Sequence, residues 1–267
     1  MKIVVCMKQV PDTNEVRINQ ETGTLIRDGV PSIMNPDDKN ALEAALACQD
    51  AYPGTEVIAL SMGPAQAKEI LKEALAMGAN HAILVSDRKF GGSDTWATST
   101  ILAAALEKIG DYDLILCGRQ AIDGDTAQVG PEIAEFLDLP QITYAKEIRP
   151  LDGKTLEVRR FTEYGDFVYR TQLPALITAI KELNTPRYPN IRGIYENFTE
   201  EENPNIETWV FDDLPVDPTQ IGLKGSPTNV HRSFVPVKDS HSEMLDGATV
   251  KDKTDALVRR LAAVNLV

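Results

Sequence analysis

From residue 2 to about residue 180, short continuously apolar runs alternate with longer stretches whose apolar positions recur every three or four residues. Lys2–Lys8, Glu56–Ser61, Ala82–Ser86, Leu114–Cys117, Ile142–Ala145 and Ala175–Ile180 are too short and too uniformly apolar for helices. They predict strands covered on both faces. Between them the spacing predicts helices over Pro36–Tyr52, Pro64–Met77, Asp94–Ile109 and about Thr126–Leu137. The first carries Ala41, Leu42, Ala45, Leu46 and Cys48 on one stripe and stops at Pro53-Gly54, and the second stops at Gly78. Such alternation predicts an α/β fold with a doubly wound, mainly parallel, Rossmann-like sheet and right-handed crossovers. Ligands of such sheets bind beyond the carboxyl ends of the strands. Met7-Lys8, Ser61-Met62-Gly63, Ser86-Asp87 and Gly118-Arg119 are therefore expected along one rim.

Two β-hairpins are expected to extend the sheet, Val16–Arg27 around Glu21-Thr22-Gly23 and Lys154–Arg170 around Tyr164-Gly165. After Lys181 the texture changes. Prolines recur, the acidic run Glu200-Glu201-Glu202 appears, and no periodic apolar face could build a separate core. The expected division is an α/β nucleotide-binding domain, 1–183, and an extended arm, 184–267, that wraps a partner or stays mobile. The arm ends in a helix with Leu257, Val258, Leu261, Ala262 and Val264 on a stripe that needs cover.

Composition narrows the function. In 267 residues, 43% are hydrophobic and 25% charged, ordinary for a globular chain, and no apolar run approaches the length that spans a bilayer. The start, KIVVCMKQV, reads as a strand rather than a leader, so a cytoplasmic protein is expected. The net charge of −13 repels nucleic acid and anionic lipid, which leaves any phosphate to be held by local groups. Cys6, Cys48 and Cys117 are isolated in apolar surroundings and read as reduced core thiols. His81, His231 and His241 are too scattered for a metal site.

The loop GRQAIDGDTAQVG, Gly118–Gly130, has glycines every six residues, at 118, 124 and 130, with Arg119, Thr126 and Gln128 between them. It either brings backbone amides close to a phosphate or simply turns a strand into a helix. Asp125 and Gln128 have the spacing of a capping box for a helix starting at Thr126; alternatively Pro131 marks the start, with Gly130 near the cap. In both versions the amides of Thr126 to Gly130 point into the rim at the positive end of a helix. SIMNPDDKNALEAA repeats the arrangement. Asn35 can cap, Pro36 suits the first helical position, and Asp37 and Asp38 either complement the dipole or meet a ribose or adenine edge. Lys8 and Arg119 are candidate phosphate counter-charges or ordinary surface cations. Neither a Walker loop nor GxGxxG follows the first strand, and neither GxSxG, HExxH nor a Cys/His pairing supplies a nucleophile or base. No catalytic side chain is identified, so a cofactor must carry any chemistry.

The segments KQVPDT, SIMNPDDKNALEAAL, ALSMGPAQAKEILKEALAMGA, LILCGRQAIDGDTAQVGPEIAEFLDLPQ, LPALITAI and NTPRYPNI closely resemble the beta subunit of electron transfer flavoproteins over nearly the whole chain. The resemblance implies a heterodimer with a larger alpha subunit that contributes a mobile flavin-carrying domain and covers the arm's last helix, while the beta subunit buries an adenine nucleotide. It places the nucleotide contacts on Cys6, Met7 and Lys8, on Asn35, Pro36, Asp37 and Asp38, and on Met62 and Gly63. The remainder fall on Gly118, Arg119, Gln120, Ala121, Ile122, Asp123, Gly124, Asp125, Thr126, Ala127, Gln128 and Val129. In the respiratory branch of the family this nucleotide is AMP; in the electron-bifurcating branch it is a second FAD, reduced by NADH. Gly124, Ala127 and Val129 replace bulkier polar side chains of the AMP branch, which favours FAD. The electrons are then expected to divide between ferredoxin or flavodoxin and the alpha-subunit FAD, which serves an acyl-CoA dehydrogenase. A stand-alone adenine-nucleotide sensor or ATP-cleaving enzyme is the competing class, and it leaves Lys181–Val267 unexplained.

Overall fold

The computed structural model describes residues 1–12, 31–150, 153–199, 203–231 and 242–266. The expected hairpin Val16–Arg27, the run Glu200-Glu201-Glu202 and His241 lie outside them. In chain order the elements begin β1 (Lys2–Cys6), β2 (Gln9–Pro11), β3 (Ser32–Met34), α1 (Pro36–Ala51), β4 (Glu56–Met62), α2 (Lys68–Met77) and β5 (His81–Val85). They continue α3 (Thr95–Ile109), β6 (Leu114–Gly118), α4 (Val129–Phe136), β7 (Gln141–Pro150), β8 (Thr155–Thr162), β9 (Gly165–Gln172) and β10 (Ala175–Ala179). Last come α5 (Ile191–Asn197), β11 (Ile206–Trp209), α6 (Gly222–Gly225) and α7 (Val250–Ala263).

Among the described residues one sheet runs in the order β11-β5-β4-β1-β6-β10-β7-β8-β9. It is parallel from β11 to β7 and antiparallel through β7-β8-β9. Adjacent strand residues point to opposite faces, and both faces are dry. Ile3, Val5, Val57, Ala59, Leu114 and Leu116 pack against Leu42 and Leu46 of α1 and Ile70 and Leu71 of α2. On the other face Val4, Cys6, Ile58, Leu60, Ile115 and Cys117 meet Ile101 and Leu106 of α3 and Ile133 of α4. The uninterrupted apolar strands are thus explained by helices on both sides. The chain winds outward from β1 through β4 to β5, then returns to place β6 on the other side of β1. That reversal opens a crevice between the ends of β1 and β6, where sheets of this kind take their ligands.

Local chemistry explains most boundaries. Asp94 caps α3 by accepting from the Ala97 amide at 3.0 Å, and Gly78 ends α2 in the left-handed region with φ 131°. The stretch expected as a helix from Pro64 instead opens with a 3-10 turn, Ala65–Ala67, before α2. Strand β7 is longer than its apolar core, because residues beyond Ala145 are paired by β8, and Thr155–Thr162 with Gly165–Gln172 form the expected hairpin.

The segment after Lys181 differs from the expectation of a free arm. Ile206–Trp209 adds a parallel strand beside β5, with Ile206 opposite Ala82 and Trp209 opposite Val85. Leu214 and Ile221 are buried with the core on the α3 side of the sheet. The compact α/β unit runs to His231, so the boundary expected at 183/184 falls at 231/232. Strand β11 is short and half polar, and the unpaired edge of β5 makes it a strand. In the second unit, 232–267, α7 is closed by a capping box between Thr249 and Asp252, and Arg260 pairs with Glu243. Leu257, Val258 and Val264 remain exposed.

The entry to the 184–231 segment is held by Arg187. Its guanidinium grips both carboxylate oxygens of the buried Glu43 at 2.8 and 2.9 Å and reaches Asp50 at 2.8 Å. Truncation strands the Glu43 carboxylate. Arg187→Ala is expected to lower unfolding free energy by about 2 kcal/mol, measured by denaturant titration; a change within the noise of such titrations would mean the grip is incidental.

Candidate functional site

The rim expected from the sequence is assembled by the strand ends. The amide of Met7 donates to Leu60 O at 2.8 Å, that of Gly63 to Val85 O at 3.1 Å, and that of Arg119 to Ala179 O at 2.8 Å. Met7, Gly63 and Arg119 therefore lie along one edge, with Cys6 and Gly118 just beneath. Into the gap between β1 and β6 comes the first turn of α1. Asn35 is completely buried, and its side chain does not cap the helix as expected. Instead its Nδ2 donates to Gln120 O at 2.9 Å and its Oδ1 accepts from the Ile122 amide at 3.1 Å. One side chain thereby behaves toward the loop as a neighbouring strand would. Pro36 occupies the first helical turn as expected.

Asp38 is also buried, and both its oxygens are engaged: Oδ2 accepts from the Lys8 amide at 2.8 Å and Oδ1 from the Gly118 amide at 2.9 Å. Burial pushes its carboxyl up to about 7, against the hydrogen bonds from Lys8, Asn35 and Gly118 that favour the charged form. Each Asp38 oxygen is thus committed to one main-chain amide of the rim. Asp37 lies 3.3 Å from Arg119 Nε, close enough to pair although neither atom finds a hydrogen bond. Burial raises the Asp37 carboxyl, and Arg119 opposes the rise.

Each loop glycine has its own cause. A Cβ on Gly118 would sit 2.2 Å from Asp38 Oδ1, and one on Gly130 would sit 2.9 Å from the Thr178 methyl, whereas Gly124 faces nothing within 4 Å. Two of the three thus serve packing within the protein. Neither expected start for the next helix holds: α4 begins at Val129 with Gln128 at its cap, and Asp125 accepts instead from Gln120 Nε2 at 2.7 Å. Pro131 falls inside the first turn, where a missing N–H leaves no bond unmade. Asp125 and Ala127 have φ of 51° and 53°, an uncommon conformation for residues with a side chain. Alternating left- and right-handed residues is the pattern that gathers successive N–H groups into an anion-binding concavity. Among the described residues the amides of Thr126, Ala127, Gln128, Val129 and Gly130 meet no acceptor, whereas those of Gly124 and Asp125 turn back to Ala121 O.

Both candidate counter-charges have a carboxylate beside them. Lys8 Nζ pairs with Asp123 at 2.7 Å, and Arg119 stands against Asp37 and 5.8 Å from the Tyr144 ring. Met62 and Ile122 border the rim, the latter 46% exposed. Residues outside the expected set also matter. Glu132 accepts from Ser99 Oγ at 2.8 Å and Thr95 Oγ1 at 3.1 Å, tying the starts of α3 and α4 together. Their only sequence signal is Ser and Thr spaced four apart at a helix start. The Cys6 and Cys117 thiols face each other on paired strands, and hydrogen bonding with Cys6, with burial, holds the Cys117 thiol well above its usual value. Both are free and buried in the core.

A family model described as the electron transfer flavoprotein domain matches residues 22–214. The chain belongs to the electron transfer flavoprotein family. It is 53% identical over the full length of both chains to the caffeyl-CoA reductase-Etf complex subunit CarD of Acetobacterium woodii. It is also 53% identical, over 98% of each chain, to the electron transfer flavoprotein subunit beta of Clostridium acetobutylicum. The acryloyl-CoA reductase electron transfer subunit gamma of Anaerotignum propionicum is 45% identical over the whole of both chains. As an electron transfer flavoprotein beta subunit it serves electron transfer in a flavin-associated family, and this sets aside the stand-alone sensor or ATP-cleaving enzyme. No helix among the described residues is long and apolar enough to cross a membrane.

In this electron transfer flavoprotein subunit, Asn35 is the simplest handle on the loop. Asn35→Ala removes two part-buried hydrogen bonds to the loop's main chain and is expected to destabilise the protein by about 1–2 kcal/mol. The accompanying signature is faster amide hydrogen exchange confined to Gln120–Asp125. Global acceleration without that local excess would show that Asn35 does not organise the loop.

Proposed function

We propose that this chain is the beta subunit of an electron-bifurcating electron transfer flavoprotein, with an adenine dinucleotide, FAD, seated on the rim at the subunit interface. The observation that carries the reading is the run of backbone amides from Thr126 to Gly130. They lack acceptors among the described residues and lie at the start of α4, beside the crevice where the winding reverses. Acidic side chains nearby are neutralised or held: Asp123 by Lys8, Asp125 by Gln120. Gly124 opens the loop's outer side, and Ala127 and Val129 keep it free of polar bulk. These features suit a diphosphate bound by main chain.

The flavin supplies the hydride and one-electron chemistry when bound. The protein's own part is positional. Gly118 to Gly130 hold phosphates, Asn35 and Asp38 fix that loop against β1, and Cys6, Met7, Met62 and Gly63 floor the adenosine half. NADH as donor, ferredoxin or flavodoxin as one acceptor, and the alpha-subunit flavin with an acyl-CoA dehydrogenase as the other route complete the reading. Relatives named as subunits of caffeyl-CoA and acryloyl-CoA reductase assemblies support the acyl-CoA side. The exposed apolar residues of α7 are the surface for the alpha subunit.

Co-expression with the alpha subunit, followed by counting bound flavin and AMP, tests the reading. Two FAD and no AMP per heterodimer is the expected result. One FAD with one AMP would replace bifurcation by the simpler electron-carrying role, and no adenine nucleotide beyond the alpha-subunit flavin would remove the site.

A further inference from the structure

We infer that Asp38 is the positioning residue of the nucleotide seat: its buried carboxylate holds the end of β1 and the end of β6 at a fixed spacing, through the amides of Lys8 and Gly118. The inference rests on the nucleotide site proposed above and assigns Asp38 a different role from that of a direct ligand.

The geometry carries the inference. Asp38 is 6% exposed, and one oxygen serves each strand end, at 2.8 and 2.9 Å. Strands β1 and β6 are hydrogen-bonded neighbours only up to Cys6 and Cys117. Beyond that pair they diverge around the crevice, and the carboxylate spans the divergence. The backbone of Lys8 is held from a second side, because Lys8 O accepts from the Asn35 amide at 2.9 Å. The fit is close enough to dictate glycine at 118, where any Cβ would displace the carboxylate. The residues so fixed, Lys8 and Gly118, begin the two segments between which the nucleotide is proposed to lie.

Ionisation of the group does not favour the fold. An ordinary aspartate loses its proton near 3.8, but here burial holds the proton to about 7. Between those values the folded protein retains a proton that the unfolded chain has released, so raising pH through that window favours unfolding. What the carboxylate does in place is accept from the Lys8 and Gly118 amides, one strand end on each oxygen. The ionised form accepts from both amides at full strength, whereas protonation makes one oxygen a hydroxyl, a weaker acceptor for its N–H. The charged and titratable groups around it cannot substitute. On α1, Asp37 repels the charge. On β6, the Cys117 thiol is held neutral, hydrogen-bonded to Cys6 of β1. Lys8 Nζ is paired with Asp123, and Arg119 stands against Asp37.

The test uses the full chain in complex with its alpha subunit, stripped of the rim nucleotide and titrated calorimetrically with ADP as the adenosine-diphosphate probe at pH 6 and pH 8. Unmutated complex is expected to bind ADP more tightly at pH 8. Asp38→Asn keeps one acceptor and sets an NH2 against the second amide, so affinity at pH 8 should fall about tenfold, with the difference between the two pH values largely lost. Should that variant fail to assemble, hydrogen exchange at the Lys8 and Gly118 amides of the unmutated complex, corrected for intrinsic pH dependence, should show protection growing from pH 6 to pH 8. Unchanged affinity and pH profile in Asp38→Asn, or pH-independent protection of those amides, overturns this inference alone. Absence of ADP binding by unmutated complex at either pH overturns the nucleotide site and this inference together.

Discussion

Two parallel strands that part at their carboxyl ends leave backbone donors and acceptors facing a crevice, and something must satisfy them without filling it. In this protein the first turn of α1 does so. Asn35 and Asp38 reach the segments after β1 and β6 and make four hydrogen bonds to their main chain, all between 2.8 and 3.1 Å. Everything else at the rim follows from that tether. Gly118 is glycine because α1 lies against it, and residues 120–122 run alongside Asn35 because it offers a donor and an acceptor at strand spacing. The next stretch, Thr126–Gly130, keeps its amides uncommitted.

The same arrangement accounts for an acidic protein as a candidate holder of phosphate. With a net charge of −13, long-range attraction is absent. The two basic side chains on the rim are engaged by Asp123 and Asp37. What remains are fixed main-chain dipoles at a helix start, short-range and directional, which act only on an anion already delivered to the crevice. Under the proposed function, delivery and electron exchange fall to partner surfaces, and α7 is a chain segment that leaves apolar side chains exposed.

The central sheet was legible in the sequence because its strands are continuously apolar and its helices punctuated by Gly78, Pro53-Gly54 and Asp94. The rim was legible too, since topology places it once the strands are known. The wiring within the rim was not. Local rules assign Asn35 and Asp125 to helix capping, but tertiary partners nearly ninety residues away claim Asn35, and Gln120 claims Asp125. Nor does the sequence mark Asp123 and Asp37 as the carboxylate partners of Lys8 and Arg119, since they are distant in the chain or carry no local signal. Strand β11 escaped for a related reason: IETW is too short and too polar to announce itself, and only the open edge of β5 makes it a strand. Composition after Lys181 shows many prolines, but not that Leu214 and Ile221 return to the core.

A crystal structure of the heterodimer with its bound nucleotides tests the central claim most directly. The account predicts phosphate oxygens within hydrogen-bonding distance of amides between Thr126 and Gly130, with the adenosine between the segments after β1 and β6 and Asp38 still bonded to Lys8 and Gly118. A nucleotide bound elsewhere on the chain, or phosphates met by Lys8 and Arg119 side chains while those amides turn to other acceptors, would contradict it.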